Sequence, residues 1–275
     1  MSSLVQLQDV WFSYDKKRYI IKGISLELKS GEMVALLGHN GSGKTTLAKL
    51  IAGLIRPSKG KVILDGSDIT DLSSKDIIKK VGIVFQNPDI QIFERTVYDE
   101  IAFVLRNIGL SEEEIRRRVI EEAKKFGIDR YLEVLPNNLS GGERKRVAFA
   151  SVTVLRPKVL ILDEPSRGMD YKKKVELIEF LEEMRKEGTS ILFITHDVEF
   201  VAERFEKAII IRDGRIFLEG SVEDVLSREN LIQAGLENPF VNRLSKELRD
   251  IGLLRDVISV DDFCREYISL VGGRT

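Results

Sequence analysis

The sequence predicts an α/β protein with a parallel-sheet core, an antiparallel β subdomain, an inserted helical subdomain and a small C-terminal helical appendage. Three observations predict it. Residues 33–37, 81–85, 159–162 and 191–194 are continuously apolar runs, which suit strands buried on both faces of a parallel sheet. Near the start, Ile24, Leu26 and Leu28 alternate with Ser25 and Glu27, the pattern of a strand with one wet face in an antiparallel sheet. Residues 87–156, lying between two of the buried runs, carry mostly helical patterns and read as an insertion into the sheet core.

The elements follow in order. Strands are expected over 4–12 and 24–28, then the buried strand 33–37 and a helix with Leu47, Leu50, Ile51 and Leu54 on its apolar face. Ser111-Glu112-Glu113-Glu114 reads as a capping box. It opens a helix with Ile115, Val119, Ala123 and Phe126 on one side, which Gly127 can end. Helices are expected over 141–155 and 171–187. Beyond Gly220 the character changes to short amphipathic helices over 222–226, 240–251 and 260–271, around Gly235, Pro239 and Gly252. The expected division is therefore 1–220, with the helical subdomain at 87–156, and an appendage at 221–275.

Composition narrows the partners. The 275 residues include 43 basic and 44 acidic side chains, so bulk charge offers nucleic acid no attraction, and no nucleic-acid partner is expected. Cys264 is the single cysteine, which rules out an intrachain disulfide and fits a reducing compartment. The start, Met1-Ser2-Ser3-Leu4, lacks the basic-then-apolar pattern of a signal peptide. No stretch approaches the roughly 20 apolar residues of a membrane helix, so work at a membrane has to run through a partner.

Gly38-His39-Asn40-Gly41-Ser42-Gly43-Lys44-Thr45 matches the Walker A pattern, G-x-x-x-x-G-K-[ST], between a buried strand and a helical pattern. Glycines let successive N–H groups curl around one anion, and the following helix adds the positive end of its dipole. Lys44 can reach the β- and γ-phosphates, and the Thr45 hydroxyl can ligate Mg²⁺. Thr46 follows in the same turn, and His39 occupies a variable position that reads as surface. ATP with Mg²⁺ is the expected ligand. The strand over 159–162 ends in Asp163 and Glu164. Beside the loop, Asp163 would hold Mg²⁺ and Glu164 would polarise an attacking water as general base.

Leu139-Ser140-Gly141-Gly142-Glu143 chooses among phosphate-loop proteins. Ser140 and Glu143 form a capping box by themselves, but a plain cap does not need two glycines in the first turn, where they weaken the helix. This segment, between that Walker A and that acidic strand, resembles the signature motif of ABC-type ATPases over about residues 4–220. The resemblance implies a P-loop NTPase with a RecA-like parallel core. It also implies a head-to-tail dimer in which Ser140, Gly141, Gly142 and Glu143 close in trans on the γ-phosphate held by the other subunit.

Further positions match that family singly. Gln86 matches the Q-loop glutamine that senses Mg²⁺ and the attacking water, and would otherwise be a polar strand end. His196 matches the switch histidine near the γ-phosphate, and would otherwise be a surface residue. Asp170 matches the D-loop aspartate, and would otherwise cap the helix from Tyr171. Tyr14 matches the adenine-stacking aromatic, with Phe12 and Tyr19 as rivals. Arg167 and Met169 depart from the small residue and leucine of many relatives, a departure that suits an asymmetric partner.

Gln86-Asn87-Pro88-Asp89-Ile90-Gln91-Ile92-Phe93, followed by Thr96-Val97-Tyr98-Asp99-Glu100-Ile101-Ala102-Phe103, resembles the ATPases of energy-coupling factor importers of vitamins and transition-metal ions. That resemblance implies a second ATPase subunit (a homodimer or a paralogous heterodimer), a membrane-embedded coupling protein and a substrate-binding membrane protein. It places the chain peripherally on the cytoplasmic face of the cell membrane. Asp89, Asp99 and Glu100 could receive arginines of the coupling protein, or simply form a solvated acidic helix start. The rival from another class is a soluble ABC-type ATPase of DNA repair or translation. The lone cysteine, the absence of long heptads and the single ATPase domain argue against it. Intact Lys44, Asp163, Glu164 and His196 argue against a non-hydrolysing regulatory subunit.

Overall fold

The computed structural model describes residues 3–248 and 257–272. The strands among them are β1 (Ser3–Phe12), β2 (Ile21–Lys29), β3 (Met33–Leu37), β4 (Lys59–Leu64), β5 (Ser67–Asp68), β6 (Val81–Val84), β7 (Val159–Asp163), β8 (Ser190–Ile194), β9 (Lys207–Arg212) and β10 (Arg215–Ser221). Six of them form one sheet in the order β10-β9-β3-β8-β7-β6. Strands β9, β3, β8, β7 and β6 run parallel, and β10 pairs antiparallel at the edge. The apolar runs read from the sequence are β3, β6, β7 and β8. Every residue of β3, β7 and β8 is buried, as expected for strands covered on both faces.

Alternate residues of these strands feed two separate cores. Val34, Leu36, Ile161 and Ile194 pack under the antiparallel sheet β2-β1-β4-β5. Ala35, Leu37, Leu162 and Phe193 face the opposite side. Strand β2 alternates as predicted, with Ile24, Leu26 and Leu28 buried and Ser25 and Glu27 exposed.

The helices are α1 (Lys44–Ile51), α2 (Ser74–Ile78), α3 (Val97–Ile108), α4 (Glu112–Lys125), α5 (Gly141–Thr153), α6 (Tyr171–Lys186), α7 (Val198–Arg204), α8 (Val222–Val225), α9 (Arg228–Ala234), α10 (Phe240–Glu247) and α11 (Val260–Gly272). Helices α3, α4 and α5 enclose a third core around Val97, Ile101, Leu105, Ile115, Val119 and Val147. A side chain caps each helix from α2 to α9, through Ser73, Thr96, Ser111, Ser140, Asp170, Asp197, Ser221 and Ser227. Such caps contribute about 1 kcal/mol each.

Three expectations change. At Ser111 only half of the capping box forms: the hydroxyl accepts from the Glu114 N–H, but the Glu114 carboxylate turns to Arg117 and Arg118. Two guanidinium partners outcompete one backbone N–H. Helix α9 was not expected. Ser227 caps it, Leu231 and Ala234 are buried in the core beside β9, and Gly235 ends it at φ 70°. Its neighbour α8 buries Val222 and Val225 in the same core, so the stretch after Gly220 begins as part of the sheet's packing. The predicted helix end at 251, with Gly252, lies outside the described residues, as do Met1 and Ser2. Among the described residues no helix is long and apolar enough to cross a membrane.

Candidate functional site

Helix α1 is the exception to the capping pattern. Its N-cap is Gly43 at φ 111°, no side chain caps it, and its first turn holds no acidic residue. Its leading N–H groups and dipole are therefore free for an anion. The loop before it has its shape enforced. A Cβ at Gly38 would lie 2.4 Å from the Ile211 carbonyl oxygen, and one at Gly43 would lie 2.9 Å from Ile21 Cδ1. Lys44 is buried, and its Nζ donates to the carbonyls of Gly38 at 2.7 Å and His39 at 3.1 Å. Burial pushes its ammonium below the usual lysine value, against the pull of the Glu164 and Asp163 carboxylates. Ser42 Oγ is buried and has no hydrogen-bond partner among the described residues.

The end of β7 meets this loop. Thr45 Oγ1 donates to Asp163 Oδ2 at 2.7 Å. Burial pushes the Asp163 carboxyl above its usual range. The Thr45 hydrogen bond opposes the shift, the Glu164 charge adds to it, and Lys44 and Lys49 oppose it. Glu164 turns out of the strand at φ 51°, a left-handed backbone that non-glycine residues seldom adopt. Its Oε1 lies 2.7 Å from His196 Nδ1, just beyond β8, and Thr195 Oγ1 donates to its Oε2 at 3.4 Å. Strands β7, β3 and β8 run parallel, so their C-terminal ends deliver Asp163, Glu164, the phosphate loop and His196 to one place. The resulting cavity of 750 Å³ is lined by Asn40, Gly41, Lys44, Thr45, Thr46, Gln86, Asp163, Glu164 and His196, among others.

Other expected residues lie elsewhere. Tyr14 is 58% exposed, edge-on to Phe12, and does not line this cavity, whereas Tyr19 does. His39 turns its ring away, Nδ1 against the Asn40 carbonyl and Nε2 3.9 Å from Asp213, and only its backbone serves Lys44. Ser140, Gly141, Gly142 and Glu143 line a separate cavity of 1030 Å³. There Ser140 and Glu143 form the full capping box, and a Cβ on Gly141 or Gly142 would meet nothing within 4 Å. Asp170 caps α6 through the Lys173 N–H.

The acidic residues after Gln86 already have partners. Glu100 is buried and accepts from the Phe93 and Glu94 N–H groups at 3.0 and 2.9 Å. Asp99 closes onto Thr96 and pairs with Arg106 at 2.9 Å. Asp89 pairs with Arg144 at 2.9 Å. Of the two readings left open for these carboxylates, partner arginines or a solvated helix start, neither included these bonds within the chain.

A family model described as ABC transporter matches residues 21–167. The chain belongs to the ABC transporter family. It is 39% identical to the energy-coupling factor transporter ATP-binding protein EcfA2 of Caldanaerobacter subterraneus, over 96% of this chain and 96% of that protein. It is 37% identical to the EcfA protein of the same description in Methanothermobacter thermautotrophicus, over 98% of this chain and 88% of that one. A solved structure, cbiO1 of Clostridium perfringens, described as part of the ABC transporter complex cbiONQ, superposes with a TM-score of 0.74 at 35% identity. It covers 92% of this chain and 98% of that one. The chain is thus an ATP-binding ABC ATPase whose activity is ATP hydrolysis coupled to transport.

Most of the wall beside the phosphate loop of this ABC ATPase was missed in the sequence. Arg18 and Tyr19, the latter named only as a rival to Tyr14, arrive from the β1–β2 connection, Lys22 from the start of β2, and Asp213 and Gly214 from the β9–β10 turn. The Gly214 N–H donates to the Ser42 carbonyl at 3.0 Å, and its own carbonyl accepts from the Lys22 N–H at 2.8 Å. A Cβ at Gly214 would lie 2.0 Å from the Ile20 carbonyl oxygen. The one signal available was the Asp-Gly pair between two strand patterns, a hairpin turn needing positive φ.

Proposed function

We propose that the chain is the ATP-hydrolysing subunit of an energy-coupling factor importer. It pairs head to tail with a second ATPase subunit, a copy or a paralogue, with two ATP molecules between them. The pair sits peripherally on the cytoplasmic face of the cell membrane, on a membrane-embedded coupling protein and a substrate-binding membrane protein. It drives uptake of a vitamin or transition-metal ion. In this reading residues 1–220 bind nucleotide and 221–275 form the helical appendage.

The observation that carries the reading is that the two anion-binding helix starts open into different cavities. The uncapped start of α1 faces Lys44, Asp163, Glu164 and His196, and the start of α5 faces the other cavity. The two share only Gln86 and Arg167. One chain does not bring both starts to one phosphate, whereas a second chain turned head to tail does. The bare surface at Gly141 and Gly142 gives that chain room to approach.

Mg²⁺ fits beside Thr45. The Thr45 hydroxyl, Asp163 carboxylate and Gln86 amide are hard oxygen donors lining one cavity, and the first two touch. Bound there, the ion supplies positive charge to the phosphate oxygens. Glu164 accepts a proton from the attacking water. Its carboxylate can only accept a hydrogen bond, so His196 Nδ1 donates to it and orients the base. For the coupling protein, the favoured surface is apolar: Ile90, Phe93 and Phe103 are 71%, 64% and 41% exposed, just beyond Gln86.

Glu164→Gln tests pairing and chemistry together. The variant is expected to bind ATP, lose nearly all turnover and accumulate as an ATP-dependent dimer by light scattering. A fully active variant that stays monomeric with ATP would remove both the base and the pairing.

A further inference from the structure

Arg167 stands in the loop between Glu164 and Asp170. Its backbone carbonyl accepts from Lys145 Nζ at 3.1 Å, which ties this loop to α5. Its side chain is exposed and lines the cavity of Lys44, Asp163 and Glu164. It also lines the α5 cavity and a third cavity of 490 Å³ behind His196. Lys44 is held by two carbonyls, Lys145 by Arg167 itself and Lys174 by Asp197, while Arg18 and Lys22, on the cavity wall from β1–β2, form no ion pair among the described residues. The neighbouring carboxylates are occupied too, Asp163 by Thr45 and Glu164 by His196 and Thr195. The Arg167 guanidinium forms no ion pair among the described residues, and Arg167 stands three residues after Glu164 on the cavity that also holds Lys44 and Asp163.

We propose that Arg167 contacts the terminal phosphate of the ATP bound by its own chain, as a fixed positive charge during hydrolysis. The inference rests on the hydrolytic reading above. A guanidinium presents a planar fork that matches two phosphate oxygens and stays charged at any working pH. In the step it serves, the water oxygen forms a bond to the γ-phosphorus and the β,γ-bridging P–O bond breaks. ADP leaves with that electron pair, and Glu164 takes the water's proton. Arg167 transfers nothing. It stabilises charge on the equatorial oxygens, where preorganised donors act most strongly. The Lys145 bond anchors the Arg167 backbone to α5.

The test compares wild type, Arg167→Ala and Arg167→Lys with Mg-ATP. Arg167→Ala should lower kcat by roughly tenfold or more, with KM for ATP shifted by less than about threefold. Inhibition by ADP with orthovanadate should weaken along with kcat. Arg167→Lys should restore part of both. Arg167→Ala placed in the Glu164→Gln background should still dimerise with ATP. Wild-type kcat or unaltered vanadate inhibition in Arg167→Ala overturns the proposal. Loss of the ATP-dependent dimer also overturns it, by making Arg167 a subunit contact. An inactive wild type would instead sink the hydrolytic reading itself.

Discussion

Asp163 carries its charge at the end of a fully buried strand. Burial raises its carboxyl above the usual range, so folding favours the protonated form. The sign follows: this group weighs least on stability below the unfolded-state value of 3.8, and the burden grows as pH rises through the carboxylate range. Asp163→Asn keeps an oxygen for Thr45 and removes the charge. At pH 7 without nucleotide the variant should be about 1 kcal/mol more stable, roughly 2–4 °C in Tm, with the gain vanishing near pH 4. Mg-ATP should raise its Tm less than it raises that of wild type. Thermal melts at both pH values, with and without Mg-ATP, check this. Lys44, Thr45, Asp163 and Glu164 were legible in the sequence because local backbone chemistry dictates their spacing. Tyr19 was legible only as a rival to Tyr14: three aromatics lie close together in the chain, and only packing selects among them. Phe12 holds Tyr14 outward, while Trp11 and Lys59 hold Tyr19 at the cavity.

At the scale of elements, helix starts separate structure from function. Helices α2 to α9 close their own first turns with side chains, and α1 does not. Helix α5 shows the same tension differently, being capped and yet carrying Gly141 and Gly142 in its first turn. Nothing within the chain needs those glycines, since neither has a positive φ nor a neighbour that a methyl would strike. Gly142→Ala should therefore stabilise the isolated chain by up to about 1 kcal/mol. The same methyl at a closed subunit interface should weaken ATP-dependent dimerisation of a Glu164→Gln chain roughly 5- to 30-fold, the equivalent of about 1–2 kcal/mol of overpacking. Calorimetry and light scattering read the two effects, and the reading fails if they change in the same direction. The longer helices α4 and α6, and the continuous apolar run of β3, were visible in the sequence. Helix α9 was not, because its seven residues offer too few turns for a pattern, and the burial of Leu231 depends on β9 far away in the chain.

At the scale of the whole molecule, the helical unit α3–α5 has its own core, yet Phe149 of α5 is buried in the sheet's core, and polar joints add to that contact. Gln91 makes one of them. Its Oε1 accepts from the Phe85 N–H at the end of β6, and its Nε2 donates to the Ala148 carbonyl in α5, at 3.2 and 3.3 Å. The Asp89–Arg144 pair adds a second, and Arg144 also donates to the Leu139 carbonyl at 2.6 Å. The apolar patch of Ile90, Phe93 and Phe103 stands on this same segment, with Phe93 and Phe103 edge to face at 4.8 Å. Ile90 and Phe93 thus flank Gln91, the residue that ties the end of β6 to α5. Burying an exposed phenylalanine in a partner is worth about 1.5–3 kcal/mol, so Phe93→Ser with Phe103→Ser should weaken the coupling-protein complex by at least roughly tenfold. The site residues are untouched, so the Mg-ATP thermal shift of the isolated chain should stay at the wild-type size. Co-purification from membranes, measured beside that shift, decides the matter. A complex recovered at wild-type yield would place the docking surface elsewhere, and a lost thermal shift would mean that the patch supports the nucleotide site.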